Sequence, residues 1–313
     1  MTTTTADQVG AARRPPGRTR LGGATRSEAR LAFWLLLPGA VLMLAVVGYP
    51  ILYAIYLSLF KDRRFAAAPF VGLGNYKTAL TDGTFWADLG VTTFFAVSTL
   101  VLELLIGLMM ALIMHRAFRG RGLVRTSVLV PWAIPTAVTA LLWFWMYQPN
   151  GIVNHILRTQ VIWTGSTWPS RWAIIIADVW KTAPFVALLL LAGLQIIPDE
   201  LYEAAKVDGA SAWQRFRGIT LPLLKGTIMV AVLFRMLDVL RMFDLPFLLT
   251  HGANGTETLS ILAYQEGIAL LHTHYAATLS TLTFLYIMIC AFIVIRLFGL
   301  RVVESAGAGR EVR

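Results

Sequence analysis

Cysteine is almost missing from this chain of 313 residues: the single one, Cys290, sits in an apolar stretch, so no intrachain disulfide and no thiolate metal site can be built. Charge is scarce as well. Asp, Glu, Lys and Arg make up 14% of the residues against 57% hydrophobic ones, and the mean hydropathy is +0.66, outside the range of soluble globular domains. The Gly-Lys dipeptide does not occur, which rules out a phosphate-cradling P-loop, because that loop ends in Gly-Lys-Ser/Thr. The two Lys-Thr pairs, at Lys77 and Lys181, follow Tyr76 and Trp180 instead. The five histidines have no metal-ligand spacing, and His272 and His274 read as an exposed pair without a companion. No Ser/His/Asp or paired-carboxylate pattern stands out, so nothing points to an enzyme active site.

Six apolar runs dominate the remainder, at about 31–60, 89–114, 126–148, 171–196, 221–249 and 276–300, and roughly 20 such residues suffice for a helix to cross the hydrocarbon core. The predicted fold is all-α, a polytopic membrane helical bundle with six transmembrane helices. Pro38, Pro50, Pro131 and Pro135 predict kinked or broken helices, which membrane bundles tolerate where helices line a cavity. The first run lacks a small-residue cleavage site after it and reads as an anchor rather than a signal peptide. Residues 1–29 have too few large apolar side chains to form a core and read as a disordered basic tail. Residues 30–300 form the membrane domain and 301–313 a second tail.

Six spans put both termini on one side. That side, with the 115–125 and 197–225 loops, carries eighteen Lys and Arg, and the other side carries six. The positive-inside rule places both termini and the 197–225 loop in the cytoplasm of a multi-pass cytoplasmic-membrane protein. The cluster Lys61, Arg63, Arg64 runs against this count. The formal charge of +10 is thus a topology signal, and with no basic face interleaved with stacking aromatics no nucleic-acid partner is expected. Trp143, Trp145 and Tyr147 either mark the outer interface or pack against neighbouring helices.

Within the spans lie Glu103, then Asp178 and Lys181, then Arg235, Asp238, Arg241 and Asp244, each set at a spacing of three that makes a stripe of alternating sign. Charges at membrane depth face a cavity or one another. On the first reading Asp178, Lys181, Asp238, Arg241 and Asp244 line a path through the membrane and offer hydrogen bonds to a polar substrate, with Phe185 available to stack on a ring. On the second they only hold the helices together. Glu103 reads as a residue with a structural partner.

The stretch LYEAAKVDGASAWQRFRGITLPLLKG, residues 201–226, interrupts this apolar pattern. Pro198, Asp199 and Glu200 suit a helix start, Gly209 a stop, and Ser211 with Gln214 a capping box that opens a second helix. The loop is predicted to be a compact helix-turn-helix knob, either seated in a partner's socket or lying on the inner leaflet. Glu203-Ala204-Ala205, Gly209, Ile219 and Leu221-Pro222 resemble the EAA loop of binding-protein-dependent ABC importer permeases. Residues 70–86, 197–210 and 243–259 are similar to further segments of the carbohydrate permeases of that family, with Gly252-Ala253-Asn254 where Gly-Gly-Pro is usual. The similarity covers roughly 31–300 and is greatest to maltose- and trehalose-type disaccharide permeases.

The resemblance implies a type I ABC importer permease in which 197–222 is the cytoplasmic coupling loop. In that family the loop seats in a cleft of the ATPase subunit. Glu203, Ala204, Ala205, Asp208, Gly209, Ile219, Leu221 and Pro222 would make the coupling contact, Glu203 pairing with a base and Gly209 forming the turn. The implied partners are a second homologous permease, two ABC ATPase subunits, an extracytoplasmic sugar-binding protein, membrane lipid and the sugar. No cofactor is expected in this chain; ATP and Mg belong to the ATPase. The alternatives are an ion- or proton-coupled secondary sugar transporter, against which no interrupted-helix repeat is visible, and a membrane scaffold.

Overall fold

The computed structural model describes residues 26–63, 67–116 and 119–307, and it is helical almost throughout. The chain divides into two compact units, Met1–Leu52 and Tyr53–Arg313. In the first, α1 (Arg26–Met43) continues through a π turn (Leu44–Gly48) into the start of α2 (Tyr49–Ser58). Pro50 has no N–H for the Val46 carbonyl and its ring crowds that oxygen, so the ladder widens there. α1 begins ahead of the expected residue 30; the rest of the expected 1–29 tail, and the second tail beyond Gly307, lie outside the described residues.

The second unit is built on α4 (Gly83–His115), α9 (Thr167–Gln195) and α13 (Lys225–Val239). α4 starts where the Asp82 carboxylate accepts the Thr84 N–H at 2.9 Å, after the short α3 (Gly74–Thr81). α4 and α9 pack closely along their length because small residues sit at the crossing, as membrane helices require. One core cluster centres on Phe95, Ile174, Ala177, Val239 and Leu245, and a second on Ala111, Val186, Leu190 and Leu224. α16 (Thr273–Gly307) packs on α13 and on α15 (Leu259–Tyr264).

Among the described residues, four helical segments are long and apolar enough to cross a membrane: Arg30–Ser58, Gly83–His115, Thr167–Gln195 and Thr273–Leu297. The remaining two expected spans are broken. The third is α5 (Arg121–Val128) and α6 (Val130–Ala133), then α7 (Thr136–Met146), with a 90° bend between Ala133 and Thr136. Ile134 precedes Pro135 and is forced to an extended ψ of 131°. The fifth is bent by 62° between Ala212–Leu223 and Lys225–Val239 and stops at Val239, short of the expected 249. Asp244–Thr250 is a separate helix, α14, started by an acid in its first turn and Pro246. Trp143 and Tyr147 are packed inward, Tyr147 donating its hydroxyl to the Ala173 carbonyl at 2.9 Å, while Trp145 is exposed.

The end of the bundle opposite the 197–222 loop is held by side chains that replace regular structure. Asp62 accepts the N–H groups of His274 and Tyr275, each at 2.9 Å, and so caps α16 from a distant part of the chain. Burial pushes the Asp62 carboxyl up, but the backbone N–H and ring of His274 and the N–H of Tyr275 outweigh it and bring it below the ordinary value. Asn154, in α8 (Ile152–Leu157), is buried; its amide donates to the Val161 carbonyl at 2.9 Å and its oxygen accepts the Trp163 indole N–H at 3.0 Å. At the turn where Gly-Gly-Pro was the family expectation, Gly252, Asn254 and Gly255 all take positive φ, and the Asn254 amide donates to the Thr164 carbonyl at 2.8 Å.

Candidate functional site

Three helices bring their charges together inside the bundle. Glu103 of α4, fully buried, accepts the Arg235 Nε–H on Oε2 and an Nη2–H on Oε1, both at 2.6 Å, in a two-pronged grip from α13. The same Nη2 reaches Asp178 Oδ2 of α9 at 3.0 Å, and Nη1 pairs with Asp238 Oδ2 one turn along α13. The Thr182 hydroxyl is within reach of both Glu103 Oε1 and the Asp178 carbonyl oxygen and donates its one proton to either. Arg235 is therefore the partner that Glu103 required. A guanidinium 3% exposed and ringed by three carboxylates is stable only because all four groups are paired.

Beside this network lies a polar cavity of about 120 Å³. Asp178, Lys181, Asp238, Arg241 and Asp244 all line it, together with Thr136 and Thr182. The predicted four-residue stripe from Arg235 to Asp244 is not one helical face, because α13 ends at Val239. Instead the irregular segment 240–243 brings Arg241 to the cavity lining, its Nε–H donating to the Leu237 carbonyl at 2.9 Å, and delivers Asp244 as the first residue of α14. Phe185 is not among the lining residues; its ring is stacked at 5.3 Å and 11° on Trp132 of α6, so one of its faces is occupied. Arg241 also borders a groove of about 430 Å³ that carries the hydroxyls of Ser260, Tyr264, Ser280 and Thr283. Chemically, the cavity offers carboxylate acceptors and ammonium and guanidinium donors to a ligand with many hydroxyls.

The knob forms as its start and stop signals require. α10 (Asp199–Val207) follows Pro198, and Gly209 at φ 78° closes it, the Ala210 N–H bonding back to the Ala205 carbonyl at 2.8 Å. α11 (Ala212–Arg215) has the capping box: the Ser211 N–H donates to Gln214 Oε1 at 2.7 Å and the Gln214 N–H to Ser211 Oγ at 3.3 Å. A π turn (Phe216–Thr220) then leads into α12 (Leu221–Leu223), in the same register to Pro222 as the earlier π turn to Pro50. Tyr202 and Thr220 share a hydrogen bond of 2.9 Å that ties the two arms. Glu203, Ala204, Asp208, Gly209, Leu221 and Pro222 are exposed, and Ala205 and Ile219 half-buried. Against the knob runs a largely apolar groove of about 760 Å³, bordered by Leu105, Leu112 and His115 of α4 and by Glu203, Trp213 and Phe216.

Sequence reasoning missed Arg235 as the hub and Thr136 and Thr182 as lining residues. The only sequence signal for Arg235 was a base at membrane depth with an acid three residues on. Among the described residues, no three His, Cys, Asp or Glu side chains are grouped to hold a metal ion.

Residues 103–304 match the family model described as binding-protein-dependent transport system inner membrane component. The chain is 43% identical over 293 residues to the trehalose transport system permease protein SugA of Mycobacterium tuberculosis, covering 92% of this chain and 95% of that protein. It is 44% identical over 245 residues to the trehalose/maltose transport system permease protein MalF of Thermococcus litoralis, covering 76% and 83%. The fold matches a chain in the crystal structure of a bacterial ABC transporter involved in the import of the acidic polysaccharide alginate. The TM-score is 0.75 at 23% identity, over 87% of this chain and 96% of that one.

Proposed function

Because the chain belongs to the family of binding-protein-dependent transport system inner membrane components, we propose that it is the permease subunit of an ATP-driven ABC importer for a neutral disaccharide of the trehalose or maltose kind. The observation that carries the reading is the convergence of Asp178, Lys181, Asp238, Arg241 and Asp244 from separate elements on one polar cavity inside an apolar bundle. Isolated charges at that depth cost several kcal/mol each unless they face partners or water. Relatives named for trehalose and maltose transport, at 43% and 44% identity, supply the substrate class.

In this mechanism the chain pairs with a second permease, binds two ATPase subunits through the 197–222 knob and receives sugar from an extracytoplasmic binding protein. It lies in the cytoplasmic membrane with both termini and the knob in the cytoplasm, as its basic residues are distributed. ATP and Mg are held by the ATPase subunits, whose closure moves the exposed Glu203-Ala204-Ala205 face. α12, continuous with the knob, carries that movement into α13, the helix bearing Arg235 and Asp238.

The test is uptake of labelled trehalose and maltose by the complete complex in proteoliposomes. Lys181→Ala and Arg241→Ala are expected to cut uptake at least tenfold, about 1.4 kcal/mol or more of lost interaction, with the complex still assembled. Wild-type uptake in both replaced variants overturns the path assignment. Gradient-driven uptake by this chain without an ATPase overturns the ABC mechanism.

A further inference from the structure

The ion network beside the cavity contains more fixed geometry than helix packing needs. Arg235 has five N–H groups. Nε–H and both Nη2–H groups face Glu103 and Asp178, and an Nη1–H faces Asp238, so the guanidinium is committed to protein carboxylates. At 3% exposure it has no surface to offer a ligand, and Glu103 at 0% has none either. Their two carboxylate neighbours both reach the cavity, Asp178 with a side chain 8% exposed at its edge and Asp238 more openly. Asp178 and Asp238 each give Oδ2 to Arg235 and both line the cavity. The pairing with Arg235 uses Oδ2 of each and leaves Oδ1 outside it. The Asp238 side chain is 68% exposed although one of its oxygens is tied to a buried cation.

We propose that Arg235, gripped by Glu103, is a positioning residue for sugar recognition. It does not touch the sugar but fixes Asp178 and Asp238 so that each presents its second carboxylate oxygen to the cavity. The result is a wall with two acceptors from two helices, able to accept from the hydroxyls of a sugar. Loose aspartates would lose this, since each retains rotamer freedom that binding must then remove. The wall also selects by charge. Around the cavity Asp178, Asp238 and Asp244 outnumber Lys181 and Arg241 by one, an arrangement that favours a neutral sugar over an acidic one. The inference rests on the sugar-permease reading above and names the residue pair that sets its selectivity.

The experiment measures labelled trehalose and maltose binding to the assembled complex of both permeases and the ATPases, without the external binding protein, alongside ATPase rate and subunit stoichiometry. Arg235→Lys keeps the charge but loses the fork, and Glu103→Gln keeps the shape but loosens the grip. Each is expected to weaken sugar binding about tenfold, ~1.4 kcal/mol, with subunit stoichiometry unchanged. The paired variant Glu103→Leu with Arg235→Met removes the gripping pair together, so that neither of the two is left buried without the other. It is expected to assemble and still bind sugar weakly, because Asp178 and Asp238 are no longer aimed. Wild-type affinity in the paired variant means that the network only holds helices together, and overturns the proposal, as does wild-type affinity in both single variants. A wild-type complex that binds neither sugar overturns the substrate reading itself, and the unmodified arm tells the two failures apart.

Discussion

A Cβ added to Gly107 would lie 2.8 Å from Val186 Cγ1 and 3.2 Å from the Ala187 backbone nitrogen. α4 and α9 therefore meet almost backbone to backbone, near the level where Glu103 and Thr182 face each other. Gly107→Ala is expected to lower stability by about 1–3 kcal/mol through overpacking. Gly90, on the same helix with nothing within 4 Å of its would-be Cβ, is the control: Gly90→Ala should leave the unfolding midpoint unchanged or raise it. Thermal unfolding of the two variants in detergent checks the contrast.

Gly209 has open space around it but a φ of 78°, so any side chain there meets backbone strain rather than a clash. Gly209→Ala should cost about 1–2 kcal/mol locally, and Gly209→Asn less. Hydrogen exchange at the Ala210 amide, which bonds to the Ala205 carbonyl, reads this directly: it should speed up in the Ala variant while α9 amides stay protected.

Glu203 is exposed on α10, so Glu203→Ala should leave folding and membrane insertion intact. On the proposed reading it breaks the contact with the ATPase. Transport should fall by tenfold or more, about 1.4 kcal/mol, while sugar binding to the complex is retained. Loss of both together would place Glu203 in the fold rather than in the coupling contact.

Asn154 organises the segment from Pro149 to Trp163 through both ends of one amide. Asn154→Leu removes the donor and the acceptor at once and leaves the Val161 carbonyl and the Trp163 indole N–H without their partner. A loss of about 1–3 kcal/mol is expected, seen as new protease cleavage within 149–165 in intact vesicles. Unaltered cleavage would show that neighbouring rings alone hold the segment.

Asp62 gives the cap of α16 a defined response to acid. Its carboxyl lies below the ordinary value of 3.8, so its contribution is fully present above that pH and is lost as pH falls through the lower folded value. The His274 and Tyr275 amides should lose protection only in strong acid in the wild type, and already at neutral pH in Asp62→Ala. Acid-insensitive amides in the wild type would remove Asp62 from this role.

What the sequence made legible was whatever is local. Ser211 and Gln214 stand three apart and form the reciprocal cap expected of them, and Gly209 closes α10, because both signals need only neighbouring residues. The helical class and the positions of four spans follow from apolar length alone. The break in the third span was half visible in Pro135, but whether a proline kinks or breaks a helix depends on what packs in the gap, here α14 against α7. The end of α13 at Val239 has no Gly or Pro to announce it; the available signal was Asp244 with Pro246, a helix start that periodicity counting passed over. The pairing of Glu103 with Arg235 joins residues 132 positions apart, and no local pattern encodes it.

The 62° bend at Leu224 gives the segment from Ala212 to Val239 the geometry of a crank, with the knob as the short arm. A sideways push on that arm turns the long one about its own axis more than it slides it. Gly193 of α9, with no room for a Cβ against Thr227 and Leu224, sits at the fulcrum. Rotation carries the groups that project from the shaft through the widest arcs, and Asp238 projects into the cavity. On the proposed reading, the same small turn that answers the ATPase also swings an acceptor away from the sugar, so release and power stroke are one motion.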